Sequence, residues 1–397
     1  MLEDEAVSTI VEQPLAATRW RVIYAYAAVC ASTQLLWLTY APITTETAHN
    51  YGVSKAAVGW LAEIFPLLYV VLALPAGVLL DRWFRPALAA GGALTAAGAL
   101  VRLGGQTYAW ALAGQTLVAV AQPVVLSAVS KLAGHYLPVA ERANGIAVGA
   151  ASGFVGMLLA LLLGPTLGGH GHIERLLVVQ AAIAVASGLA LMLALRARGH
   201  ADGEHVAIEG GAARALWRLG EMRLLCGLVF VGFGIFVALA TWLQSLLEPQ
   251  GISEATAGGL LVGMVIAGTV GCALIPQLVE RRHAERVFML AVVVSAILGC
   301  AALAALRWVP AQALVLALLG AALLPALPVV LTSVERMAGS AAGTAGAIIW
   351  LAGNLGGIVV ALLVQALVDQ PTAAFLSLAG VALLGLPLAT RLGRTLS

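Results

Sequence analysis

Few side chains in this sequence could do chemistry in an apolar setting, and their spacing says what kind. Gln34, Trp37, Ala41 and Thr44 recur at intervals of three and four residues, as do Val237, Thr241 and Gln244, and as do Trp350 and Asn354. Each set is therefore expected on one helical face. Amides and hydroxyls beside indole rings hold and release a solute rather than break its bonds, and Trp faces attract quaternary ammonium groups. Gln122 adds a further amide within an apolar run. Glu63 is the one acid clearly deep in such a run, where it could take up and release a proton or counter a cationic solute.

Other chemistries find no support. His170-Gly-His172-Ile-Glu174 supplies too few ligands in too loose a loop for a metal. Cys30, Cys226, Cys272 and Cys300 lie far apart in apolar stretches and read as buried thiols. There is no P-loop, H-E-x-x-H or G-x-S-x-G, which argues against an ATP-driven pump or a membrane hydrolase. No enzyme activity and no cofactor are expected.

The elements that must position these residues follow from composition. The chain of 397 residues is 61% hydrophobic and 10% charged, whereas soluble domains carry roughly 25% charged residues. It is expected to sit in a lipid bilayer, where each crossing takes about 20 apolar residues. Apolar segments fall at about 21–46, 54–80, 87–105, 109–136, 143–168 and 174–197, and then at about 222–247, 255–279, 286–307, 310–334, 342–368 and 372–391. The expectation is an all-α membrane protein of twelve transmembrane helices. A tail over 1–20 leads into a six-helix bundle over 21–197, and a linker over 198–221 joins it to a second bundle over 222–391, with a short tail over 392–397.

Charge position sets orientation, because basic residues stay on the cytoplasmic side. With the N-terminus inside, 17 of the 21 Lys and Arg residues fall in inner loops and 4 outside, namely Lys55, Arg102, Arg175 and Arg307. Both termini are then cytoplasmic. The net charge of +2 gives no basis for a nucleic-acid partner. Nineteen Arg against two Lys, with Ala-rich helices, suggest a bacterial inner membrane. A monomer is expected.

The halves repeat. GVLLDRWFRP (77–86) is echoed by PQLVERRHAER (276–286), and the stretch from Glu141 by that from Glu335. Parallel six-helix repeats characterise transporters whose halves rock about a central site. Gly77, Leu79, Asp81, Arg82 and Arg85 resemble the loop signature of the major facilitator superfamily, with departures at Phe84 and Pro86. The resemblance implies a cytoplasmic gate. Asp81 is expected near the N-terminus of the eleventh helix and within reach of Arg142, with Arg82, Glu280 and Arg336 as further gate residues.

Trp37-Leu-Thr-Tyr40, Tyr51-Gly-Val53, Trp60-Leu61, Pro75, Gly114-Gln115, Ala121-Gln122 and Ser130-Lys131 resemble the feline leukaemia virus subgroup C receptor family. Its members carry choline-like amines and have been linked to haem. The resemblance implies that Trp37 lines the cavity and that Asn354 stands where that family has a Gln. Phe154 or its neighbours replace a second Gln, and a Tyr is missing near Val237. The run Gly164-Pro-Thr-Leu-Gly168-Gly169 resembles the G-P-x-x-G-G of proton-driven drug antiporters, where small residues let two halves approach. The leading expectation is a transporter of a small organic solute, a choline-like cation, with a proton or cation as coupling partner. Its rivals are a proton-coupled multidrug exporter and a non-transporting receptor or scaffold.

Overall fold

The computed structural model describes residues 2–168, 171–197 and 211–392, with the side chains of 2–18, 44–45, 55–56, 244 and 254–255 outside that description. Among the described residues the regular structure is helical throughout. Twelve long helices run in chain order as α1 (Leu2–Trp37), α2 (Lys55–Arg82), α3 (Phe84–Val101), α4 (Tyr108–Tyr136), α5 (Val139–Gly168), α6 (Ile173–Ala194), α7 (Gly220–Leu247), α8 (Glu254–Arg281), α9 (Glu285–Ala305), α10 (Val309–Ala338), α11 (Ala342–Gln365) and α12 (Pro371–Arg391). Hydropathy alone fuses α10 and α11 into one span, Val309–Gln365. A one-turn 3-10 segment at Gly339–Ala341 separates them, with Gly339 at φ +52°. Leu67, Val71, Leu74 and Val78 form an exposed apolar stripe on α2, the surface a helix offers to lipid. The chain is an integral membrane protein.

The chain forms two compact units. One comprises residues 1–65 and 78–208, the other residues 66–77 and 209–397. In the first, α1 lies against α5 so closely that a Cβ on Gly156 would run into the Ala31 carbonyl. In the second, α7 and α11 repeat the arrangement, and a Cβ on Gly356 would meet the Phe230 carbonyl. Absent side chains let backbones approach where lipid offers no hydrophobic drive for helix association.

A second repeat lies in the turns before α2 and α8. Gly52 and Gly251 sit at φ +64° and +77°, a left-handed conformation that glycine adopts without the usual Cβ cost. Two residues on, Ser54 and Ser253 cap the next helix, their hydroxyls accepting from Ala57 N at 3.2 Å and Thr256 N at 3.3 Å.

One sequence expectation is corrected. Gln34, Trp37, Ala41 and Thr44 do not share a continuous helical face, because α1 ends at Trp37 and is followed by a turn, a 3-10 segment at Ala41–Ile43 and a separate helix, Thr44–Tyr51. Pro42 follows Ala41, which disfavours helix at the residue before it.

Candidate functional site

In the first unit the polar end of α1 meets α2. Trp37 Nε1 donates to the Ala62 carbonyl at 3.0 Å, and its ring lies 6.3 Å from that of Phe65 at 38°. One turn earlier, Gln34 is buried, and its Oε1 has no hydrogen-bond partner among the described residues. It faces α5 at Gly153, where a Cβ would lie 3.5 Å from Gln34 Cγ. An unfilled buried acceptor suits a solute that carries an N–H or O–H. Glu63 follows Ala62 on the exposed side of α2, and Gln122 is buried on α4. The Thr44 side chain lies outside the described residues.

In the second unit Trp350 stands between two aromatic rings. Its centroid is 6.2 Å from Tyr69 at 47° and 5.8 Å from Phe233 at 82°. Trp350 is 8% exposed and its Nε1 has no partner among the described residues. Asn354, one turn on, donates to the Trp350 carbonyl at 2.9 Å. Thr241 spends its hydroxyl on Val237 O at 2.8 Å within α7, and the Gln244 side chain lies outside the described residues. Tyr69 and Phe233 went unnoticed in the sequence. Tyr69 lies in an apolar run with no spacing signal, and Phe233 is one of several aromatics on α7.

Two ion pairs are found on the loop-signature side, one in each unit. Asp81 pairs with Lys131 of α4, Nζ to Oδ1 at 2.9 Å, and the same ammonium donates to Asp81 O at 3.0 Å. Arg142 Nε and Nη2 donate to Leu137 O and Gly134 O, both at 3.3 Å. Lys131 reaches Asp81 because α2 and α4 end at the same level, a relation that sequence distance conceals. Arg82 is exposed. In the second unit Arg336 donates to Glu285 at 2.6 Å, and Glu280 is half-buried.

At the other end of the first unit lies a cluster that sequence reasoning did not foresee. Arg102, counted above as an outer-loop charge, is 1% exposed at the end of α3. Its Nη1 donates to Thr39 Oγ1 at 2.9 Å and Gln115 Oε1 at 3.4 Å, and its Nη2 to Gln180 Oε1 at 3.1 Å. Thr39 donates to the same Gln180 oxygen at 2.8 Å. Gln115 Nε2 donates to Leu36 O at 3.1 Å and Leu61 O at 3.0 Å. Burial holds the Arg102 guanidinium below its ordinary range, while the phenols of Tyr40 and Tyr51 act to raise it; burial also pushes the Tyr51 phenol up. The one sequence signal was Gly114-Gln115, since a Cβ on Gly114 would strike Arg102 Cγ.

Gly164 and Gly168 make their close contacts inside the first unit, with Pro42 and with Ile43 and Leu176. Gly169 and His170 lie outside the described residues. Among the described residues no cluster of His, Cys, Asp and Glu could hold a metal.

Twelve long apolar helices carrying a few polar and aromatic groups fit a membrane transporter. The sequence pattern of the Major Facilitator Superfamily matches residues 22–361, and the chain belongs to that superfamily. It is 29% identical over 323 residues to Solute carrier family 49 member A3 of Danio rerio, covering 76% of this chain and 67% of that one. It is also 29% identical over 153 residues to the choline/ethanolamine transporter FLVCR2 of Homo sapiens, covering 38% of this chain and 29% of that one. Among solved structures it resembles the human organic anion transporter MFSD10 (TETRAN), with a TM-score of 0.74 at 17% identity, covering 94% of this chain and 99% of that one. The transporter FucP in its outward conformation gives a TM-score of 0.74 at 17% identity, covering 92% and 99%.

Proposed function

We propose that this transporter moves a small organic amine of the choline or ethanolamine kind, exposing its site alternately to the two sides of the membrane. The observation that carries this reading recurs in each unit. An indole ring stands beside a second aromatic ring and an amide, Trp37 with Phe65 and Gln34, and Trp350 with Phe233 and Asn354. No Lys or Arg is hydrogen-bonded to any of these six residues among the described contacts. An anionic solute in a desolvated site normally meets a basic partner, whereas a cation is served by aromatic faces. The similarity to the choline/ethanolamine transporter points the same way.

Within this reading Gln34, Trp37, Thr44 and Gln122, with Thr241, Gln244, Trp350 and Asn354, contact the solute. Glu63 carries any proton coupling. Asp81, Arg82, Arg142, Glu280 and Arg336 stabilise the closed inner side. The bundles over 21–197 and 222–391 are the moving bodies, and the Arg-rich composition supports a bacterial inner membrane with both termini cytoplasmic.

Calorimetric titration of the purified protein with choline and ethanolamine tests the proposal. Trp37→Ala removes cation-π attraction and stacking, each worth on the order of 1 kcal/mol or more when desolvated, so affinity falls roughly tenfold. Trp37→Phe retains part of it. Amines that do not bind the parent, or that bind Trp37→Ala equally well, overturn it.

A further inference from the structure

Arg102 is a buried cation with no carboxylate among its hydrogen-bond partners. A guanidinium has five N–H groups, and the contacts to Thr39, Gln115 and Gln180 take up three. Nε has no partner among the described residues, and one N–H of Nη2 remains beyond its bond to Gln180. Nε and Nη2 form the edge that grips two oxygens when Arg meets a carboxylate or phosphate side-on. Gln180 is 0% exposed, and with its Oε1 committed to Arg102 and Thr39, its Nε2 is likewise without a partner. Tyr40 and Tyr51, whose rings lie 6.3 Å apart edge to face, flank the same guanidinium.

Unfilled donors at this depth each cost free energy, and a buried charge lacking an opposite charge costs more. A water molecule would satisfy an N–H but leave the charge. We propose that this cluster holds a small inorganic anion, chloride in ordinary surroundings, against the Nε–Nη2 edge of Arg102. The ion accepts from the guanidinium and the Gln180 amide. Close packing selects for size: Thr39, Gln115 and Gln180 are each 0% exposed, and the space at Gly114 is filled by the Arg102 stem and the Gly98 carbonyl. A monatomic ion suits such a site better than an organic carboxylate.

The ion has a structural consequence. Through Thr39, Gln115 and Gln180 the guanidinium ties the end of α3 to the turn after α1, to α4 and to α6, and Gln115 extends the tie to α2 through Leu61 O. Chloride therefore stiffens this end of the first unit independently of which solute is carried.

The test uses the purified full chain in chloride, bromide or gluconate at constant ionic strength. A saturable rise in apparent melting temperature, on the order of 2–5 °C, is expected with chloride and bromide and not with gluconate. Arg102→Gln should abolish the difference, and Arg102→Lys should weaken it. Equal stability of the parent in chloride and gluconate overturns the proposal, as does a halide effect that survives in Arg102→Gln. Should Arg102→Gln fail to fold, bromide-soaked crystals of the parent decide: an anomalous peak beside Arg102 Nε supports the site, and none there refutes it.

Discussion

The first unit, at the Arg102 end of α3, and the second unit, at the corresponding end of α9, solve one packing problem with different chemistry. The first buries Arg102 among Thr39, Gln115 and Gln180. In the second, Arg307 bonds at 3.4 Å to its neighbour's carbonyl in an exposed contact, and the buried group is Gln312, which donates to Gln250 Oε1 at 2.8 Å and Leu306 O at 3.0 Å. The backbones nonetheless repeat, in the Gly156 and Gly356 contacts and in the Gly52–Ser54 and Gly251–Ser253 turns. Repetition thus survives where backbone meets backbone, because no side chain there can be exchanged. It lapses where side chains meet, because neutral and charged groups can each complete a buried polar cluster.

The comparison breaks first, and equally in both units, at the helix crossings. Gly156→Val and Gly356→Val each force a branched side chain into a carbonyl that cannot move aside, and overpacking of this kind should cost about 3 kcal/mol or more in each unit. Thermal unfolding in detergent checks this, and a large loss from one substitution alone would break the structural equivalence.

Asymmetry should appear next, among the ion pairs. Asp81→Asn leaves Lys131 facing a neutral group at a carboxylate whose side chain is 0% exposed, and breaking a buried pair costs roughly 3 kcal/mol. Glu285→Gln removes a pair whose members are 40% and 23% exposed, for which about 1 kcal/mol or less is expected. Added salt should weaken the second pair more than the first, so equal losses with equal salt dependence would erase the distinction.

Gln115→Leu removes two donated bonds and one acceptor of Arg102, whereas Gln312→Leu removes two neutral bonds. Denaturant unfolding should show about 2–4 kcal/mol lost in the first case and about 1–2 in the second, since bonds to charged groups are worth more. The smallest effect returns to symmetry: Ser54→Ala and Ser253→Ala each delete one helix cap and should cost about 1 kcal/mol apiece, measured in the same way.

How much was legible without coordinates varies by residue. The twelve apolar segments and their division at the polar linker follow from composition, and the Asp81 loop signature with its echo at Glu280 follows from local pattern. The Gly-x-Ser repeat before α2 and α8 was present in the string but went unread, because its glycine and serine matter for backbone angle and capping rather than for charge. Lys131 was quoted only as part of a motif; its pairing with Asp81 joins two helices fifty residues apart. Thr44 was placed on the face of Trp37 because a spacing rule assumes an unbroken helix, whereas α1 ends at Trp37 and Pro42 follows soon after.

By itself the sequence determined the class of this protein: helices that must cross a bilayer, because backbone polar groups in hydrocarbon need internal partners. Tertiary structure decided which polar groups meet. Hydropathy treats Arg102 as a charge bound for water, yet burial depends on whether Thr39 from the turn after α1 and Gln115 and Gln180 from two other helices arrive at the same depth. Likewise Trp350 becomes the centre of an aromatic group only through Tyr69 and Phe233. Such meetings depend on distances between helices, and no window along one helix contains them.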